Sequence, residues 1–311
     1  MFKVLNRFAL FSAVILLTFV ATRAMVRALP GDPLETLLAE TGTSIPKGVL
    51  RAELQLDRPF VQATWDQTRS ALRGDFGTSI LSRRPIAPIL LERFQKTLLL
   101  TLVSLGLTLL CSVTLAYFSV FHLESASGRI LNRSANAVCT VHGALASAMP
   151  TPWTGPLLAW FFAVNFHIFP LGNHVALPAL TIAFSFSGLW ARLIRQRMRE
   201  SLASGAAPGA RARGIPEWKV ILKYGLAPAS GALLAYLGTQ TGALLSGAFV
   251  TEMIFDWPGL GMLLVDAVLK RDYPVVEAAV FATASASIIG TWCGDWLQSF
   301  VDPRLERLEE K

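Results

Sequence analysis

Gly205-Ala-Ala-Pro-Gly-Ala-Arg-Ala-Arg-Gly-Ile215 lies in the middle of a basic stretch, 192–223, that decides the fold of this chain. The stretch holds eight basic residues and two acids. The 58 residues before it (134–191) and the 28 residues after it (224–251) contain no Asp, Glu, Lys or Arg. Short Lys/Arg-rich loops between membrane-length segments stay on the cytoplasmic side. The sequence therefore predicts a cytoplasmic loop between membrane-spanning helices.

Composition indicates an integral membrane protein. Hydrophobic residues make up 53% of the 311 residues and charged residues 16%, whereas soluble domains carry about 25% charged residues. The net charge of +7 lies beside apolar segments, which accounts for it without a nucleic-acid partner. Cys111, Cys139 and Cys293 fall inside apolar segments and have neither disulfide nor zinc spacing. We therefore predict an all-α membrane protein with no metal site.

Six apolar segments can each cross a hydrocarbon core of about 30 Å. They are 8–26, 97–121, a crossing within 131–169 that is broken around Met149-Pro-Thr-Pro152, 175–194, 229–251 and 276–301. By length, the uncharged stretch could hold two or three crossings, but only an even number leaves the basic loop on the side of Lys3 and Arg7. We predict six transmembrane helices with both termini in the cytoplasm.

The domain organisation follows from these crossings. Residues 1–27 are the N-terminal tail and first helix, 28–96 an extracytoplasmic region, 97–301 the membrane core with the cytoplasmic loop 195–228, and 302–311 a cytoplasmic tail. The run 8–22 also resembles a secretory signal. Arg23 and Arg27 follow where a small-residue cleavage site belongs, which favours an uncleaved helix.

Catalytic motifs are missing from the sequence. It has no G-x-x-x-x-G-K-[ST], H-E-x-x-H or G-x-S-x-G. His142 is interpreted as a hydrogen-bonded structural residue, and Asp295 as a structural anchor more than a coupling-ion site. Neither an intramembrane enzyme nor a bound cofactor is predicted, and an ion-coupled carrier is the less favoured alternative.

Small residues form a stripe in the fifth predicted helix. Gly238, Gly242 and Ser246 recur every four residues, which allows close helix approach. The stripe faces either a partner subunit or the transport pathway, or it serves ordinary packing within the bundle.

Eight motifs follow one another along the chain. They are Leu29-Pro-Gly-Asp-Pro33, Leu54-Gln-Leu-Asp-Arg-Pro59, Gly74-Asp-Phe-Gly-Thr-Ser79, Leu177-Pro-Ala-Leu180, Ala210-Arg-Ala-Arg-Gly-Ile215, Glu252-Met-Ile-Phe-Asp-Trp-Pro-Gly-Leu-Gly261, Arg271-Asp-Tyr-Pro274 and Asp302-Pro-Arg304. In order and spacing they resemble the B-type permease of the dipeptide, oligopeptide and nickel family of ATP-binding-cassette (ABC) importers.

The resemblance implies a type I ABC importer permease in the bacterial inner membrane. A second homologous permease, two ABC ATPase subunits and an extracytoplasmic solute-binding protein are the partners that it implies. ATP would be bound by those ATPases and not by this chain. Peptides are the predicted cargo, and nickel or another small solute stays open because the same scaffold serves both.

The resemblance also implies site residues. It assigns the contact with the ATPases to a coupling segment: Ala210, Arg211, Ala212, Arg213, Gly214 and Ile215. Gly214 is predicted to end a short helix, Ile215 to be buried against the partner, and the two arginines to make charge-assisted contacts or to serve as cytoplasmic anchors. Gly205-Ala-Ala-Pro-Gly209 stands where the family has an acidic, then aromatic and basic run. Because Pro208 disrupts a helix interior, we expect a helix that starts late, is short or seats differently.

The turn after the fifth helix is the second implied site. Its residues are Glu252, Trp257, Pro258, Gly259 and Gly261. Two interpretations stay open: the turn shapes the outer gate or the seat of the binding protein, or Trp257 is a membrane-interface anchor before a tight turn.

Overall fold

A computed structural model describes residues 60–71, 73–121, 126–170, 172 and 174–301, together with 12–14, 16–22, 24 and 48. Numbered from Phe60, its helices are α1 (Phe60–Ala71), α2 (Ile86–Val120), α3 (Ala126–Ala148), α4 (Thr151–Leu158), the π-helix π1 (Ala159–Asn165), α5 (Ala176–Ala203), α6 (Ala206–Ala212), α7 (Glu217–Val220), the π-helix π2 (Ile221–Leu226), α8 (Ala227–Ile254), α9 (Leu260–Leu269) and α10 (Tyr273–Val301). A single bridge, Thr78 with Pro85, is the extended pairing in these residues. The described chain is all-α, as predicted.

Three of these helices are long and apolar enough to cross a membrane. They are α2, α5 and the Tyr273–Gly294 part of α10. Hydroxyl groups inside α2 are satisfied locally, since Ser104 donates to the Leu100 carbonyl and Thr108 to the Ser104 carbonyl. Internal pairing of this kind suits polar side chains in a helix surrounded by hydrocarbon.

The observed bounds differ from the predicted crossings at several ends. α2 begins at Ile86, before the predicted Thr97. Its first three turns carry Glu92, Arg93 and Lys96, so they were not part of the predicted apolar segment, although they are helical. Within the predicted first crossing, residues 12–14, 16–22 and 24 are helical, and the rest lies outside the described residues, as does the 302–311 tail.

The predicted break in the third crossing is observed. α3 ends at Ala148, and α4 begins at Thr151 after Pro150, whose backbone is extended at φ −61°, ψ 149°. Proline has no N–H for the preceding turn, and it restricts the residue before it. Residues 131–169 therefore form α3, α4 and π1 in place of one long helix.

The described residues divide into two compact units, bounded by 1–97 with 258–288 and by 98–257 with 289–311. In the second unit, Trp190, Ile194 and Met198 of α5 are buried in the main core. Helices α3, α4, α6 and α8 all pack against α5. α5 is therefore the element that these four helices share.

In the first unit, the core joins the start of α2 to α9 and α10. Ile86 and Leu90 pack with Leu260, Leu263 and Ala279. α9 was not predicted, because its ten residues are too few to cross a membrane.

Candidate coupling segment and outer turn

α6 contains the predicted coupling residues and begins before the proline. Its first residue is Ala206, with Gly205 as N-cap, and it is seven residues long. Pro208 lies in the first turn, where backbone N–H groups have no acceptor within the helix. The late start expected from Pro208 is therefore wrong, whereas the short helix is observed.

The end of α6 is a Schellman motif built on Gly214. The Gly214 N–H donates to the Arg211 carbonyl at 2.9 Å, and the Ile215 N–H donates to the Ala210 carbonyl at 3.3 Å. Gly214 has φ +74°, a region that costs other residues roughly 1–2 kcal/mol. A Cβ at Gly214 would meet no atom within 4 Å, so the backbone angle alone requires glycine. The predicted helix stop is confirmed.

Arg211 is paired within the chain. Its Nε donates to Glu217 Oε2 at 2.9 Å and its Nη2 donates to Oε1 at 2.8 Å. This bidentate pair ties the last turn of α6 to the first turn of α7. Hydrogen bonding to Glu217 raises the pKa of Arg211 above its usual value, and partial burial acts in the opposite direction. Arg211 therefore shapes the segment and is not simply a free cation on its surface.

One face of the segment is committed to the chain's own core. Ala207 and Ala210 are fully buried in the main core, and Ile215 packs against the same cluster. Ile215 is thus partly buried by the chain's own core, and its predicted burial against a partner stays a prediction. The other face is exposed and carries Ala212, Arg213 and Gly214.

Two exposed apolar side chains follow these residues along the chain and were not predicted from the sequence. Trp218 is 49% exposed and Leu222 is 41% exposed, four residues apart. The Lys219 ammonium lies 5.2 Å from the Trp218 ring centroid. Large apolar residues among lysines in a predicted cytoplasmic loop were the available signal. We refer to Ala212, Arg213, Gly214, Trp218 and Leu222 as the docking face.

The outer-turn candidates lie at the end of α8 and in the turn that connects α8 to α9. α8 ends at Ile254, Asp256 has φ 52°, and the Trp257 N–H donates to the Glu252 carbonyl at 2.8 Å. The Trp257 side chain is 2% exposed and packs in the core of the second unit, in a cluster with Leu100 and Ile182. The interpretation of Trp257 as a membrane-interface anchor is therefore wrong, because its ring is packed inside the second unit.

The other residues of this turn are also largely enclosed. Glu252 is fully buried, Gly259 and Gly261 are buried, and Pro258 is half-buried. Gly259 is the N-cap of α9, with an extended backbone. Among the described residues the turn thus joins two helices, and its gate role stays a prediction.

Comparison with known proteins decides the family. Residues 125–307 match the family described as "Binding-protein-dependent transport system inner membrane component". The chain belongs to this family. It is an ABC importer permease subunit, and as a member of this family it is a transport component and not an enzyme.

Relatives over nearly the whole length support this assignment. The permease is 32% identical, over 94% of both chains, to "Glutathione transport system permease protein GsiC" of Salmonella choleraesuis strain SC-B67. It is 31% identical, over 90% of both chains, to the protein of that name in Escherichia coli strain K12. A solved structure, described as an amino acid ABC transporter with histidines, matches with TM-score 0.53 at 16% identity, covering 70% of the permease and 94% of that chain. The fold is the type I permease fold.

Two of the resembling motifs meet in the first unit. Asp272 is 4% exposed. The Ser79 hydroxyl donates to Asp272 Oδ2, and the Ile80 N–H donates to Oδ1 at 3.2 Å. A buried carboxylate needs such donors to offset its lost hydration. The pair therefore fastens the 77–86 hairpin of the permease to the turn before α10, which motif spacing could not indicate.

The remaining candidates lie on the membrane helices. Gly238, Gly242 and Ser246 lie in α8, where Gly242 is buried, and the role of the stripe stays a prediction. His142 Nε2 lies 2.8 Å from Ser187 Oγ, which confirms a hydrogen-bonded histidine. Asp295 lies in α10, and its predicted anchoring stays a prediction.

Proposed function

We propose that the permease imports small peptides and receives the required motion from separate ATPases at the docking face. The relatives are named glutathione transport permeases, and glutathione is a tripeptide. A second homologous permease would complete the pathway, and an extracytoplasmic binding protein would deliver cargo. The observation that carries the proposal is the helical hairpin of α6 and α7, which has one face in the core and one face exposed.

The hairpin is attached to two long helices. α6 packs against α5 and π2. Gly225 of π2 lies so close to Leu202 of α5 that an added Cβ would be 3.2 Å from its side chain. π2 leads directly into α8. A displacement of α6 would therefore move the end of α5 and the start of α8 together, which is the mechanical requirement for coupling.

The docking face suits a protein groove. It combines small residues that permit close approach, the exposed cation of Arg213, and the exposed apolar pair Trp218 and Leu222. Trp and Arg are enriched at the energetic centres of protein interfaces. The expected partner surface is an apolar groove with acidic residues at its edge.

Transport by the assembled complex tests this function. The permease would be reconstituted in proteoliposomes with its companion permease and ATPases, and its binding protein would be added outside. We expect ATP-dependent accumulation of a labelled tripeptide, measured by filtration. Controls omit ATP or the ATPases. Accumulation that needs only an ion gradient would contradict the proposal, and uptake of Ni²⁺ without peptide uptake would replace the cargo assignment with the nickel alternative.

We also propose an inner-membrane location with both termini and α6 in the cytoplasm. The basic stretch around α6 supports this orientation. In a variant without Cys111, Cys139 and Cys293, Gly205→Cys should react with an impermeant maleimide only after the cells are opened. Gly205 suits the test because it is exposed and an added Cβ meets nothing within 4 Å. Labelling of intact cells with a permeable outer membrane would contradict the orientation.

A further inference from the structure

Three arginines of α5 lie along its contact with α3 and bond there to neutral groups. Arg192, Arg195 and Arg199 recur after three and four residues and so share one helix face. Arg192 Nη2 donates to Ser147 Oγ at 2.7 Å, Arg195 Nη1 to Asn136 Oδ1 at 2.6 Å and to Thr140 Oγ1 at 3.3 Å, and Arg199 Nη2 to Asn136 Oδ1 at 3.4 Å. We call these three side chains the arginine seam.

α3 carries a stripe of small and polar residues where the arginine seam contacts it. Asn136, Thr140, Gly143 and Ser147 recur after four, three and four residues, so they form one stripe. Arg192 crosses this stripe at Gly143, where an added Cβ would lie 2.9 Å from its Cδ. The missing side chain of Gly143 therefore gives the Arg192 stem its path to Ser147.

The seam carries three positive charges. A guanidinium has five N–H donors, yet each of the three contacts α3 through one terminal nitrogen. Among the described residues, none of the three contacts a carboxylate, and the 134–191 stretch holds no acid that could do so. Three positive groups with donors to spare favour an anionic ligand.

The position of the seam along α5 indicates its depth in the membrane, and this depth indicates which anions can reach it. At a rise of about 1.5 Å per residue, Arg192 lies about 24 Å and Arg199 about 35 Å beyond Ala176, the first residue of α5. These distances bracket the far edge of a hydrocarbon core about 30 Å thick. In the orientation proposed above, this edge is the headgroup layer of the inner leaflet.

An exposed apolar surface lies on α3, on the face turned away from the seam. The exposed side of α3 continues from Thr140 through Ala137 and Ala144 to an apolar stripe. That stripe consists of Val138, Val141 and Leu145, all exposed. Lipid covers exposed apolar side chains of a membrane helix, so lipid headgroups lie around α3 at the depth of the seam. This favours a lipid phosphate over a free anion or a peptide carboxylate.

We propose that the arginine seam binds the phosphate of an anionic phospholipid from the inner leaflet. A phosphodiester offers two acceptor oxygens to the planar guanidinium fork. Basic pockets between membrane helices on the cytoplasmic side are suited to acidic headgroups. The bound lipid would hold α3 against α5 a few residues before α6. The inference depends on the proposed orientation and not on the proposed cargo.

Native mass spectrometry of the full-length permease tests the site. The protein would be purified in a mild detergent and incubated with phosphatidylglycerol or phosphatidylcholine. We expect tight phosphatidylglycerol adducts on the wild type, and a loss of affinity of about fivefold for each arginine removed in R192Q/R195Q/R199Q. The matched control is R197Q, which removes an arginine of α5 that is paired with Glu200 and is not part of the seam. Its affinity should equal that of the wild type.

The single variant R195Q keeps the test valid if the triple variant does not fold, with about a fivefold loss expected. Unchanged phosphatidylglycerol affinity in R195Q and the triple variant would overturn the proposal. Equal binding of phosphatidylcholine, or displacement of the lipid by inorganic phosphate or by a tripeptide, would also overturn it. This readout needs neither ATP nor partner chains, so its failure and a failure of peptide import are separate results.

Discussion

Glu217→Arg should lower ATP-dependent uptake by about tenfold while the permease still inserts and folds. The substitution replaces the bidentate attraction between Glu217 and Arg211 with repulsion between two cations. The pair is partly exposed, so screening limits its contribution to global stability to about 1 kcal/mol. Its local effect is larger, because it is the link between the last turn of α6 and the first turn of α7. A difference of 1.4 kcal/mol in the ordered hairpin already corresponds to about tenfold.

The double variant R211E/E217R restores the pair with its signs exchanged, and uptake should recover. The matched control is Glu200→Arg, which reverses an exposed ion pair with Arg197 on α5 and should leave uptake close to wild type. All variants would be compared in the reconstituted assay, with melting temperatures of the purified permease alongside. If E217R is inactive and R211E/E217R stays inactive, Arg211 acts by touching the ATPase. Wild-type uptake in E217R would exclude any role for the pair.

Apolar runs and turn residues predicted much of this fold. Apolar segments with few or no charged residues located α2, α5, α8 and α10 because hydrocarbon disfavours ionised side chains. Pro150 marked the break between α3 and α4, and Gly214 marked the end of α6. These features depend on a residue's own backbone preferences or on its transfer free energy, so one sequence contains them.

Features that depend on which faces meet were not predicted. Interface anchoring was one of the two interpretations open for Trp257, since tryptophan is common at membrane interfaces. Its ring instead packs in the cluster that contains Leu100 and Ile182, which are distant in sequence. Asp272 and Ser79 are separated by 193 residues, and no periodic pattern links them. Arg211 and Glu217 are only six residues apart, and this pair could have been found from opposite charges on either side of the predicted turn at Gly214.

Gly188→Leu should prevent the permease from folding, and Gly188→Ala should lower its free energy of unfolding by about 2 kcal/mol. A Cβ at Gly188 would lie 2.8 Å from the Gly143 Cα and 2.8 Å from the Ala146 Cβ, with the His142 carbonyl oxygen at 3.0 Å. These are backbone atoms or stiff groups, so α3 and α5 would have to separate. Their separation would also stretch the hydrogen bond between His142 and Ser187.

Two other glycines provide a graded comparison. At Gly143 an added Cβ meets the flexible Arg192 side chain, which can move, so Gly143→Ala should cost less than Gly188→Ala. At Gly106 of α2 an added Cβ meets nothing within 4 Å, so Gly106→Ala should be neutral or slightly stabilising, since alanine is the better helix former. Thermal unfolding of the three alanine variants in one detergent measures the order. Equal melting temperatures for Gly188→Ala and Gly106→Ala would mean that α3 and α5 do not approach this closely, and the arginine seam, which needs the same approach, would lose its geometric basis.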